Sequence, residues 1–229
     1  MSRIRTAALA AFAALSIPLA ASVPAHAEPS DSWAEPAPVI SQVDTDEPVA
    51  FITIDDGWGH DPSVQRMLLD RHVPASLFIN PVNYSWDRDY FQQLLNHGPS
   101  RMENHAVDHL DLTELDFAAQ KEQICGARDA QLAAFGDSPR LFRPPAGAYN
   151  EDTRIAAAEC GAAAVVTWTH DLTDWPWIPG EPEIPELNAG DILLVHLGPD
   201  TAAADLERVL DAVDAAGLRP APLRDHLPG

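Results

Sequence analysis

The sequence is poor in basic residues and in cysteine, and it lacks both a phosphate-binding loop and internal repeats. Fourteen Lys+Arg stand against 35 Asp+Glu, a formal net charge of −21 at pH 7. A chain this acidic is repelled by phosphate, so neither nucleic acid nor an anionic membrane surface is an expected partner. The charge suits solubility in an extracellular medium and gives no help in approaching anionic polymers. No glycine-rich loop follows any predicted strand, which argues against a nucleotide-binding fold. The only cysteines are Cys125 and Cys160. Neither stands beside a histidine at ligand spacing, which argues against a catalytic or zinc-binding thiol. In an oxidising compartment they are expected to form a disulfide closing a loop of about 35 residues and stabilising by roughly 3–4 kcal/mol. Two buried free thiols are the alternative.

What is present begins with a leader. Arg3 and Arg5 precede an apolar segment from Ala7 to Ala21, and Ala25-His26-Ala27 has the small-x-small pattern of a cleavage site. Residues 1–27 therefore read as a secretory signal peptide and the protein as secreted. The apolar segment is short and broken by Pro18, so an uncleaved anchor is the weaker alternative and no membrane association is expected after removal. Beyond the leader remain 12 basic and 35 acidic residues, a net charge of −23. Residues 28–48, rich in Pro, Ser, Asp and Glu, read as a flexible lead-in. Residues 49–229 are long enough for one domain with its own core, expected to act as a monomer.

Within that domain β-branched apolar runs alternate with helical patterns. Val49 to Ile54, Ala75 to Ile79, Arg101 to Asn104, Leu141-Phe142, Ala163 to Trp168 and Ile192 to Val195 read as strands. Helices are predicted from Pro62, with Asp61 as cap, from Asp87 to Gly98, from Thr113 to Gly136, over Glu151–Glu159, and from Thr201 to Ala216. Such alternation indicates parallel β/α units, and about seven of them suit a distorted (β/α) barrel, an α/β fold.

Five clusters fall at the C-terminal ends of predicted strands, where barrels place their sites. Thr53-Ile54-Asp55-Asp56-Gly57 ends a buried strand in two carboxylates that need a positive partner. Asn104-His105-Ala106-Val107-Asp108-His109 holds two imidazoles at i and i+4, a spacing that can present both to one ion. Phe142-Arg143-Pro144-Pro145-Ala146-Gly147 is a proline-stiffened turn. Asp171-Leu172-Thr173-Asp174-Trp175 and Leu194-Val195-His196 complete the set.

In this order the clusters resemble the motifs of the NodB-type polysaccharide deacetylases, carbohydrate esterase family four, over nearly all of the chain beyond the leader. The resemblance implies a distorted (β/α) barrel and a metal-dependent hydrolase acting on an acetylated polysaccharide or oligosaccharide. It implies Asp56, His105 and His109 as ligands of one divalent metal, zinc before cobalt or nickel. It implies Asp55 as general base, His196 as general acid, Arg143 as the partner of Asp55, and Asp171 as the partner of His196. Trp175 and Leu194 would line an acetyl pocket, and the Ala146 N–H would help hold the oxyanion. The chemistry is coherent: such an ion lowers the pKa of bound water to about 7, and a departing amine needs an acid opposite the base. Trp58, Trp175 and Trp177 are candidates to stack on sugar rings, whereas Trp168 reads as core.

Departures from the motifs are Ile54 for a phenylalanine, Ala146 for a common aromatic, and Leu197 after His196 where a polar residue is frequent. All the implied reacting side chains are present. The expected substrate is an N-acetylglucosamine polymer such as chitin or peptidoglycan. An acetylxylan O-acetyl esterase is the alternative enzyme, and a non-catalytic carbohydrate-binding domain the alternative from another class.

Overall fold

The computed structural model describes residues 34–175, 178 and 182–227. The leader expected at 1–27 and Trp177 lie outside the described residues. The chain divides into two units, Met1–Ser32 and Trp33–Gly229, and all that follows concerns the second.

Its strands are β1 (Val39–Ile40), β2 (Val49–Asp56), β3 (Ser76–Ile79), β4 (Arg101–Asn104), β5 (Leu141–Phe142), β6 (Ala164–Val166), β7 (His170–Asp171), β8 (Ile192–Leu197) and β9 (Arg219–Pro220). The helices are α1 (Pro62–Asp70), α2 (Pro81–Tyr84), α3 (Arg88–His97), α4 (Phe117–Phe135), α5 (Glu151–Glu159) and α6 (Ala202–Ala215). The strands form one parallel sheet in the order β1-β6-β5-β4-β3-β2-β8-β7, with β9 beside the start of β2. β6 pairs with β5 and β7 with β8, so the short segment 164–171 links both ends of the sheet and curls it into a distorted barrel.

Strand alternation sorts the core. From β2, Val49 and Phe51 enter the barrel interior with Phe78, Leu141, Val166 and Ile192. Ala50, Ile52 and Ile54 face outward onto α1, α3 and α6, packing against Val64, Leu68, Phe91, Leu206 and Val209. A third cluster, with Ile124, Phe142, Ala156 and Val165, seats α4 and α5. There the disulfide Cys125–Cys160, with Cα atoms 5.0 Å apart, ties α4 to the end of α5. β2 is central because it is buried along all eight residues and pairs with β3 on one side and β8 on the other.

Three expectations need correction. Residues 34–48 are not a free lead-in. Val39 and Ile40 pair with Val165 and Val166, and the Val43 N–H donates to the Gly190 carbonyl at 2.9 Å; a two-residue strand among prolines is too short to show a period. The helix expected from Thr113 starts later. Asp111 caps a 3-10 turn, Leu112–Glu114, and Asp116 caps α4 through the Ala119 N–H, so two acidic caps divide one apparent pattern. Finally, β2 and β8 run to Asp56 and Leu197, past the apolar residues that announced them.

Candidate active site

The register of the sheet delivers the polar residues. Asp55 lies opposite His196 on one side and Phe78 on the other. Thr53 and Asp55 continue the inward row of Val49 and Phe51, so both reach the barrel interior. Strict alternation would send Asp56 outward with Ile54. Instead Asp56 takes φ 68°, and Gly57 follows at φ 79° where a Cβ would lie 2.6 Å from Ile79 Cγ2. Two successive left-handed residues swing the second carboxylate back beside the first. Ala106 (φ 60°) and Ala146 (φ 52°) share this sparsely populated conformation at the same mouth, and such strain gathers where a site dictates the backbone.

Asp56 Oδ1 lies 3.4 Å from both His105 Nε2 and His109 Nε2. These three residues have donor atoms within 4.8 Å of one another. His105 Nδ1 is 2.8 Å from the Arg143 carbonyl, which can only accept, so Nδ1 carries the proton and Nε2 presents its lone pair. Asp56 Oδ1 is buried without a hydrogen bond. A buried acceptor left open beside two imidazole nitrogens fits a divalent cation bound by one carboxylate and two histidines. Burial raises the Asp56 pKa, but the close approach of His105 and the positive charge that His105, His196 and His109 can carry outweigh it, and the carboxyl sits below its usual range. Burial pushes His105 down, while Asp55 and Asp56 pull it up and prevail. Two carboxylates facing one imidazole demand positive charge.

Asp55 has a different environment. Arg143, completely buried, donates from Nη1 to Asp55 Oδ1 at 2.7 Å and to Thr53 Oγ1 at 2.9 Å. Its other nitrogens reach the Val166 and Thr167 carbonyls, and its guanidinium stands 4.3 Å above the Phe78 ring. Burial lowers the Arg143 pKa against the opposing pull of Asp55. Asp55 Oδ2, 3.9 Å from His105 Nε2, is left toward the pocket.

The pocket has a volume of about 410 Å³; besides Asp55, Asp56, His105, His109 and Asp171, its walls include Trp58, Ala146, Trp168, Trp175, Leu194 and His196. Every expected site residue except Arg143, which lies behind Asp55, and the disulfide pair therefore lines it, Asp171 included. Trp168, read as core, packs on the interior cluster and also forms pocket wall. The His196 ring lies 4.5 Å from that of Trp175.

The expected pairing of Asp171 with His196 is not what the structure shows. His196 Nδ1 is 2.7 Å from the Thr173 hydroxyl, and no Asp171–His196 ion pair occurs among the described residues. Asp171 Oδ1 accepts from the Thr173 backbone N–H at 3.1 Å. The exposed carboxylate closes a turn that presents Thr173, and a hydroxyl serves His196 as donor or acceptor. The roles of three asparagines also escaped the sequence reading. Asn80 donates to the His105 and Ala106 carbonyls, Asn83 to the Asp56 carbonyl, and Asn104 to the Ile124 carbonyl. Asn80-Pro81 directly after a strand was the legible signal of a tight turn there.

Comparison with known proteins bears on the family and the fold. The polysaccharide deacetylase family model matches residues 42–165. An uncharacterised protein of Streptomyces coelicolor is 34% identical over 204 residues, 88% of this chain and 82% of that one. A chitooligosaccharide deacetylase of Rhizobium leguminosarum bv. phaseoli is 28% identical over 163 residues, 67% of this chain and 70% of that one. Among solved structures, a CE4-family pseudoenzyme from Bacillus anthracis shares the fold, with a TM-score of 0.72 at 19% identity over 85% of this chain and 70% of that one. With a family model covering more than half of its length, the chain belongs to the polysaccharide deacetylase family, the NodB-like esterases of carbohydrate esterase family four.

Proposed function

We propose that the protein is a secreted, monomeric, metal-dependent deacetylase that removes N-acetyl groups from an N-acetylglucosamine polymer or oligosaccharide of the chitin or peptidoglycan type. The observation that carries this reading is the juxtaposition, in one pocket, of the open Asp56 Oδ1, the free side of Asp55 and the Thr173-held His196. A shared fold alone would not suffice, since a relative of this fold is described as a pseudoenzyme.

Asp56, His105 and His109 would hold the ion, zinc or in its place cobalt or nickel. When bound, it supplies a Lewis acid for the acetyl carbonyl and a nucleophilic water near neutral pH. Arg143 occupies one oxygen of Asp55, which leaves Oδ2 to accept the proton of the attacking water. The Ala146 N–H helps hold the developing oxyanion. His196, oriented by Thr173, gives its proton to the leaving nitrogen, which departs poorly as an anion. Trp175, Leu194 and Trp168 enclose the methyl group and exclude water. The matched chitooligosaccharide deacetylase supports the substrate class. The signal-like first 27 residues and the disulfide support secretion.

The test is acetate release from chitooligosaccharides, peptidoglycan fragments and acetylated xylan, before and after chelation. Release from the first two that chelation abolishes is expected. Release from xylan alone would make the protein an O-acetyl esterase, and none from any of them, with metal bound, would end the enzyme reading.

A further inference from the structure

Trp58 follows the metal-site strand by two residues, and half of it is exposed. Its indole is nonetheless held from two directions. The Nε1–H donates to Asp56 Oδ2 at 3.3 Å, the oxygen that does not face the histidines. The ring lies against Gly198, where a Cβ would come within 2.1 Å of Trp58 Cε2 and 2.5 Å of Nε1. Beside it, the Gly59 N–H donates to the Leu197 carbonyl at 3.1 Å, and a Cβ on Gly59 would lie 3.0 Å from the Gly198 backbone. The loop after β2 and the loop after β8 thus close on each other through glycines, with the indole as the piece between them.

We infer that Trp58 is a positioning residue for the metal-binding carboxylate, seated by Gly198, whose indole N–H claims one oxygen of Asp56 and so turns the other toward His105 and His109. The inference rests on reading Asp56, His105 and His109 as metal ligands. Asp56 needs such a device for two reasons. Its left-handed backbone takes it out of the strand alternation that would otherwise aim its side chain. Its Oδ1 has no hydrogen-bonding partner of its own to fix the carboxylate's rotation. The clamp also joins the loop after Asp56 to the one after Leu197, and so ties the metal end of the pocket to its acid end.

The test compares wild type, Trp58→Phe and Gly198→Ala as metal-free full-length proteins titrated with zinc in competition with a chromogenic chelator, and records the visible spectrum of each cobalt-loaded form. Phenylalanine keeps the apolar ring and removes the N–H. Gly198→Ala keeps the indole and evicts it. Both variants are expected to bind zinc about 10–100-fold more weakly, the loss typical of an outer hydrogen bond to a metal ligand. The metal-free Trp58→Phe protein should unfold within about 2 °C of wild type, as expected for a half-exposed residue. The cobalt band should weaken in both as Oδ2 is freed to join the donor set. Zinc affinity of Trp58→Phe within about twofold of wild type would overturn the inference. So would an unchanged cobalt spectrum, because a merely structural role leaves the ligand field as it is. A wild type that binds no zinc would overturn the metal-site reading as well, whereas a zinc-binding wild type matched by its variants overturns only the role of Trp58.

Discussion

Two arginine–carboxylate pairs are buried in the same barrel, and they differ in what they leave open. Asp55, Phe78 and Glu103 occupy one hydrogen-bonded row across β2, β3 and β4, so their side chains leave the same face of the sheet. Glu103 pairs with Arg224 through Oε1, while Oε2 accepts from the Arg140 and Leu141 N–H groups at 3.0 and 2.9 Å. Arg224 is itself used up on Asp137 and the Met102 carbonyl. Asp55 gives one oxygen to Arg143 and keeps the other beside His105 in an open pocket. The saturated pair fastens the C-terminal segment to β4 and β5. The half-saturated pair keeps one oxygen toward the pocket, where the proposed mechanism has it accept a proton. Burial and an arginine are common to both, so the unspent oxygen is what distinguishes the proposed base from the scaffold pair.

Arg143→Met and Arg224→Met test that division most severely. Each strands a buried carboxylate and is expected to cost about 3–5 kcal/mol of stability in urea unfolding. Only Arg143→Met should also lower kcat/KM for deacetylation by about 10²–10⁴-fold, the share typical of a positioned base; an equal loss in folded Arg224→Met would erase the distinction. A smaller effect separates Thr173 from Asp171. Thr173→Val should lower kcat about tenfold with little change in KM, and Asp171→Ala about threefold, because its carboxylate reaches His196 through the Thr173 backbone. If Asp171→Ala proves the worse of the two, His196 depends on Asp171 in a way this structure does not show. The smallest effect is in the acid limb of stability. The folded-state pKa of Asp56 is depressed, so its contribution to the metal-free protein is present above the unfolded value near 3.8 and is lost as the pH falls below it. Asp56→Asn should therefore flatten the fall in thermal midpoint below about pH 4, and an unchanged acid limb would refute the depression.

The fold was legible wherever an element was long enough to repeat its pattern. The continuous β-branched run of β2 and the apolar run of β8 announced two buried strands, which the structure sets side by side, and the residues Asp61 and Asp87 announced α1 and α3. β1, β7 and β9 have two residues each, a single period with no repeat, and nothing in the sequence marks them; β5 is as short and was read only from its apolar pair Leu141-Phe142. At the site, residue types were readable and orientations were not. Alternation would have set Asp55 and Asp56 on opposite faces, whereas the positive φ of Asp56 turns both carboxylates into one pocket and leaves them distinguished by partner. Thr173 stood within a motif already singled out, but the motif pointed to its acidic neighbour. That a hydroxyl two residues on makes the contact is a matter of side-chain reach, which only coordinates resolve. What the asparagines beneath the Asp56 and His105 turns bond was invisible for the same reason, since each works through a distant backbone carbonyl.

The central claim, that Asp56 binds the metal while Asp55 moves the proton, is tested most directly by Asp55→Asn with zinc content and acetate release measured on the same sample. The amide keeps the shape and removes the base. The account predicts one zinc per chain and a loss of deacetylase activity of about 10³-fold. Near-wild-type activity, or zinc lost along with activity, would contradict it.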